Sequence, residues 1–184
     1  IVFGEVNPLY GAIDIRNSSV HRNIAIQKDF TEQLTLTGKI LDVLYKDTHL
    51  TILKELLAKN IHFLNKLRRE LTAEDEIKVN DFLSNEVEPV FSHLKKVNSF
   101  LHKHISTYLQ AVNEYNGILY HYRRLYEESL DTINRSINKY LDKEKNKIQV
   151  AYPNYFEKYK TDGVEYNIYI GQSIVPQKPF DITY

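Results

Sequence analysis

The sequence predicts an all-α protein, an antiparallel bundle of four to five long helices with a short extended or β cap built from its two termini. Three observations predict it. Apolar residues recur every three or four positions from Val20 to Ile148, the period of a helix with one buried face. Between Ser19 and Tyr152 the only helix-weakening residues are Gly38, Gly117 and Pro89, whereas glycine, proline and β-branched residues crowd both ends. Near the C-terminus, Tyr166, Ile168 and Ile170 alternate with Asn167, Tyr169 and Gly171, the period of a strand. The expected organisation is an extended arm over 1–17, a helical bundle over 18–152 and an extended segment over 153–184, together one domain.

Ser18 and Ser19 offer the first N-cap, and the stripe Ile24, Phe30, Leu34, Leu41 and Leu44 carries a helix to about Lys46. Gly38 weakens this helix without stopping it. Asp47 or Thr48 is expected to cap a second helix with the stripe Leu50, Leu53, Leu57, Ile61, Leu64, Leu67 and Leu71, and the tight turn makes the two antiparallel neighbours. Thr72 and Asp75 form a capping box that starts a third helix. Pro89 lacks an amide hydrogen and crowds the turn before it, which predicts a kink or break near Asn85 to Glu88. A shorter helix capped by Asn98 follows, and Asn116-Gly117 marks a turn. The last helix is the longest, with Ile133 and Ile137 expected inside, and Pro153 ends it. At ~1.5 Å per residue its roughly 35 residues reach ~50 Å, longer than a compact domain is wide.

Composition excludes several function classes. Lys+Arg and Asp+Glu number 24 each, so no net field draws the chain to nucleic acid or an anionic membrane. The absence of cysteine excludes disulfides, thiol catalysis and thiolate-held zinc, and fits a reducing, cytoplasmic setting. No uncharged apolar run approaches the ~20 residues that span a bilayer. A di-iron bundle needs inward Glu-x-x-His pairs, and none occurs. No cofactor, metal ligand or catalytic residue is expected. The chain is read as part of a longer protein.

Two sets of polar residues stand out. Asp14, Arg16 and Arg22 crowd the junction of arm and first helix, and Asp162 and Glu165 crowd the exit. Carboxylates and guanidiniums on both segments pair if the ends meet, forming an end-to-end network or a partner site. Under an alternative function, His21 and His93 are the candidate phosphoacceptors of a histidine phosphotransfer or kinase-dimerisation bundle, because an exposed imidazole accepts a phosphoryl group. Neither sits in the usual pattern: Arg22 and Asn23 follow His21 with no proline, and no small residue follows the lysine pair after His93.

PLYGAIDIRNSSVHRNIAIQ (8–27) and YFEKYKTDGVEYNIYIGQSI (155–174) resemble two passages of a family of large, uncharacterised Bacteroidetes signalling proteins that contain a GAF domain. The resembling region lies downstream of the GAF domain, so it implies a helical segment beyond the sensor and supplies no catalytic residue. The expected function is therefore a non-catalytic signal-transduction or interaction module coupled to an upstream GAF sensor, with an oligomerisation scaffold as a further alternative. The expected partners are the rest of its own chain and a second copy in a homodimer, with no nucleic acid and no membrane.

Overall fold

The computed structural model describes residues 6–13, 15–97, 101–113, 117–160, 164–171 and 173–177. Among these the protein is mostly helical, with one small antiparallel sheet. The chain divides into two compact units, a helical unit of Ser19–Glu127 and a sheet unit that joins Ile1–Ser18 to Glu128–Tyr184. This division cuts within the long last helix, whereas the expected bundle ran to 152, at the end of that helix.

In the helical unit, α1 (Ser18–Thr48) buries Ile26, Phe30, Leu34, Leu41 and Leu44 along one face. It stops at His49, whose left-handed backbone (φ 53°) turns the chain into α2 (Thr51–Lys66). The cap expected from Asp47 or Thr48 is replaced by Leu50 at the N-cap position, with no side-chain cap bond. The capping box is formed as predicted: Thr72 Oγ1 accepts from the Asp75 amide at 3.1 Å, and the Thr72 amide donates to Asp75 Oδ2 at 3.4 Å, starting α3 (Ala73–Asp81). A π-helical segment (Phe82–Val87) then leads into α4 (Glu88–Val97). Pro89 explains it. An α-helical turn would press the proline ring against the Asn85 carbonyl, and one extra residue per turn carries the chain past the missing amide while Leu83, Val87 and Phe91 stay buried. α5 (His102–Ala111) completes the core with Ile105 and Tyr108, and Asn98, its expected cap, lies outside the described residues. The side chains of these helices form one apolar cluster.

Gly38 is a packing position. A Cβ there would lie 2.8 Å from Asn60 Nδ2, and that buried amide donates to the Leu34 carbonyl at 3.0 Å. Alanine gains up to ~1 kcal/mol of helix propensity over glycine, yet displacing a buried amide from its only described acceptor costs about 1–3 kcal/mol. Gly38→Ala is therefore expected to lower stability by a net ~1 kcal/mol in urea denaturation, although propensity alone predicts a gain.

The long helix α6 (His121–Ala151) follows a 3-10 turn, Ile118–Tyr120. Its residues from Glu128 onward belong to the sheet unit. There β1 (Val6–Ile13), β2 (Tyr155–Lys160) and β3 (Val164–Gly171) form a sheet of order β1-β3-β2, antiparallel throughout. The arm pairs with the exit strand, Val6 opposite Gly171 and Ile13 opposite Val164; the alternation predicted the strand, and the structure supplies its partner. β2 was not predicted. Tyr155 to Lys160 run in register against Tyr169 to Val164. The sheet lies against the second half of α6: Lys158 pairs with Asp142 at 3.0 Å, and Lys145 Nζ sits 5.4 Å from the Phe156 ring centroid. Several apolar residues of the predicted stripes, among them Ile24, Leu50, Ile61 and Ile133, are exposed and not buried. The apolar face of these helices is wider than the neighbours that cover it.

Candidate functional site

The α1 sequence carries a polar line on its buried face. Asp29, Gln33 and Thr37 lie four residues apart among Ile26, Phe30 and Leu34, and all are buried. Asp29 fastens the start of α6: Oδ1 accepts from the Tyr122 amide and Oδ2 from the Arg123 amide, both at 2.9 Å. Those first-turn amides have no acceptor within their own helix, and α6 has no acidic residue in its first turn, so a carboxylate from another helix supplies the cap. Burial pushes the Asp29 pKa above the ordinary aspartate value, against the opposing pull of the two amides and of the Arg123 charge. The Arg123 guanidinium lies 5.7 Å from the Tyr120 ring centroid and 6.0 Å from that of Phe30.

Beside this latch an open cleft of about 300 Å³ is lined by Gln27, Lys28, Thr31, Glu32, Leu67 and Tyr122. Lys28 Nζ lies 5.1 Å from the Tyr122 ring centroid, and the Glu32 carboxylate raises the Tyr122 phenol pKa. Gln27 Nε2 donates to the Leu67 and Arg69 carbonyls at 2.5 and 2.7 Å, holding the end of α2 to α1. The polar groups of the cleft thus engage one another, and together they hold the start of α6 and the end of α2 to α1.

A second buried carboxylate, Asp75, accepts from Lys66 in an ion pair while completing the capping box. Its pKa is lowered first by the Lys66 hydrogen bond, against burial. The folded state therefore holds this proton less tightly than the unfolded chain does. The stabilisation is present above the unfolded pKa and is lost as pH falls through the folded one. Asp75→Asn is expected to cost about 2–3 kcal/mol at pH 7, because Lys66 loses its partner, and to flatten the acid limb of stability against pH, measured by urea denaturation at pH 7 and pH 3.

Of the residues singled out from the sequence, Asp14 and Asp162 lie outside the described residues. Arg16 is exposed and has no ion pair among the described residues. Arg22 pairs with Glu76 at 3.4 Å, joining α1 to α3. Glu165 lies half-buried in the middle strand, opposite Ala12 and Tyr159. The backbone of the two ends meets, but the arginines of this set are not joined to Glu165 by a described ion pair. His21 and His93 are exposed on α1 and α4. Asp29 was missed, and its signal was legible: an acidic residue at the centre of a buried helical face needs a partner. No group of three or more potential metal ligands occurs among the described residues, and no helix there is long and apolar enough to cross a membrane.

No curated protein and no solved structure matches this chain. A family model does, the one described as YeeD uncharacterised protein, over residues 24–137. The matched stretch runs from within α1 into α6 and contains Asp29, the cleft and the amides that Asp29 holds, and leaves out the paired strands of both ends. With well over half of its length matched, the chain belongs to the YeeD family.

Proposed function

We propose that this chain is a non-catalytic signal-transduction module, an antiparallel helical bundle that receives a conformational change from an upstream GAF sensor domain and passes it on through α6. The observation that carries this is the attachment of α6. Its first turn is held by one buried carboxylate of α1, and the helix then continues unbroken from His121 to Ala151, out of the helical unit and into the sheet unit. A helix held at one end by two hydrogen bonds has a discrete place at which an upstream change can release or tighten it, and a rigid length along which the change travels. The antiparallel arrangement is supported by the two-residue link between α1 and α2 and by the single apolar cluster of the helical unit. The cysteine-free sequence fits the cytoplasm. The upstream partner rests on the resemblance of residues 8–27 and 155–174.

Hydrogen exchange tests the coupling. With the upstream domain attached, protection of the Tyr122 and Arg123 amides is expected to change by at least about ten-fold relative to the isolated chain, a shift of ~1.4 kcal/mol in local opening. Identical protection with and without that domain overturns the proposal.

A further inference from the structure

Strand alternation sorts the charges of β2 and β3 onto opposite faces of the sheet. Phe156 and Lys158 lie on the face that meets α6, where they engage Lys145 and Asp142. The other face carries Tyr155, Glu157 and Tyr159 of β2 beside Tyr169, Asn167 and Glu165 of β3. All six lie within the sheet unit, and none is basic. Tyr155 and Tyr159 are 44 and 49% exposed, so this face is open to solvent. Glu157 is the centre of the group. The Tyr159 and Tyr169 hydroxyls both donate to its Oε2, at 2.9 and 3.2 Å, while Oε1 accepts no hydrogen bond among the described residues. The Tyr155 and Tyr169 rings meet beside it, with centroids 5.8 Å apart. Glu165 is a diagonal neighbour of Glu157 across the strand pair, a spacing of roughly 7–8 Å. Neither carboxylate forms an ion pair among the described residues, whereas Asp142 behind the sheet is paired.

We propose that this face binds an arginine side chain from a basic segment of a partner protein, with Glu157 Oε1 as the acceptor and the tyrosine rings as the platform. Charge complementarity identifies the partner. Two carboxylates without a cation attract a positive group, and so do the faces of the tyrosine rings, which carry the negative part of the ring quadrupole. Geometry favours arginine over lysine. A guanidinium is flat, so it lies on a ring and still donates in its own plane to a carboxylate, whereas an ammonium is a compact and strongly hydrated point charge. The two hydroxyls on Oε2 hold the carboxylate in place, which lowers the ordering cost of binding. Phosphate-bearing ligands are disfavoured on the same surface, because they would meet two carboxylates and no base. The site does not depend on a signalling role, and its failure would leave the Asp29 latch untouched.

Tetra-arginine amide is the probe, titrated into the whole chain at about 0.15 M salt and followed by the NMR shifts of backbone amides and tyrosine rings. Saturable shifts confined to β2 and β3 are expected, with tetra-lysine amide binding more weakly. Glu157→Gln removes the charge and Tyr159→Leu removes a ring, and each is expected to weaken binding by at least about ten-fold. Glu55→Gln, which neutralises an exposed carboxylate on α2, should leave the affinity unchanged. Circular dichroism melts check that the variants fold, and the comparison of the two peptides on the unaltered chain stands without them. No saturable shift, shifts spread over the acidic surface of the helices, tetra-lysine binding as tightly as tetra-arginine, or an affinity indifferent to Glu157→Gln overturns the proposal.

Discussion

Phe91→Ala is expected to lower the stability of the protein by about 3–5 kcal/mol, the cost of emptying a fully enclosed aromatic site. Phe91 has no exposed surface and meets the equally buried Tyr108 edge to face, with ring centroids 5.0 Å apart. It also follows Pro89 by two residues, where the π-helical segment has returned the chain to α-helical geometry. Deleting the ring therefore removes contacts from α4 and α5 together. Tyr108 loses an aromatic neighbour, and its hydroxyl, which accepts from Thr37 Oγ1 at 3.4 Å, loses the packing that positions it. Urea denaturation monitored by far-ultraviolet circular dichroism reads the loss. A change below ~1 kcal/mol would mean that this core can collapse around the gap, which close-packed interiors rarely permit.

Asp29→Ala is expected to cost about 2–3 kcal/mol, because it removes a helix cap and leaves two first-turn amides without their acceptor. Asp29→Asn keeps one acceptor oxygen and should lose roughly half as much. The two substitutions also separate the cap from its charge. Burial raises the folded-state pKa of Asp29 above that of the unfolded chain, so the folded state holds this proton more tightly. The burial penalty on its charge is in full force above the folded pKa. Between the two pKa values stability rises as pH falls, the reverse of the trend from Asp75. In Asp29→Asn that opposing contribution is gone, and the acid-side loss of stability set by Asp75 should steepen. If the profiles of wild type and Asp29→Asn superimpose between pH 3 and pH 7, the Asp29 carboxylate is not buried as described. Hydrogen exchange at Tyr122 and Arg123 should show faster opening of the first turn of α6 in both variants.

The proline, the capping box and the strand alternation could each be read locally. Pro89 interrupts the α-helical ladder because a missing amide and a ring clash act within one turn. Thr72 and Asp75 start α3 because their bonds span three residues. β3 is a strand because period-two alternation has no use in a helix. Asp29 required more. Its position on the buried face of α1 was visible in the spacing, but the amides that donate to it lie 93 and 94 residues away on α6. The polar residues at the two ends pointed to charge pairing, and Arg22 instead meets Glu76 on α3, a partner no local pattern could name.

By itself the sequence determined that this protein is mostly helical, that the Thr72 capping box starts α3, that Pro89 interrupts the α-helical ladder and that Val164–Gly171 is a strand, because those outcomes follow from hydrogen bonds within a turn and from the period of side chains. The tertiary structure alone decided that α6 is divided between two units, that Gly38 makes room for Asn60, that β2 joins the sheet, and which apolar residues stay exposed along α6. The physical reason is common to all four. A period specifies how wide an apolar face is, but the neighbours that cover it are set by side chains distant in sequence.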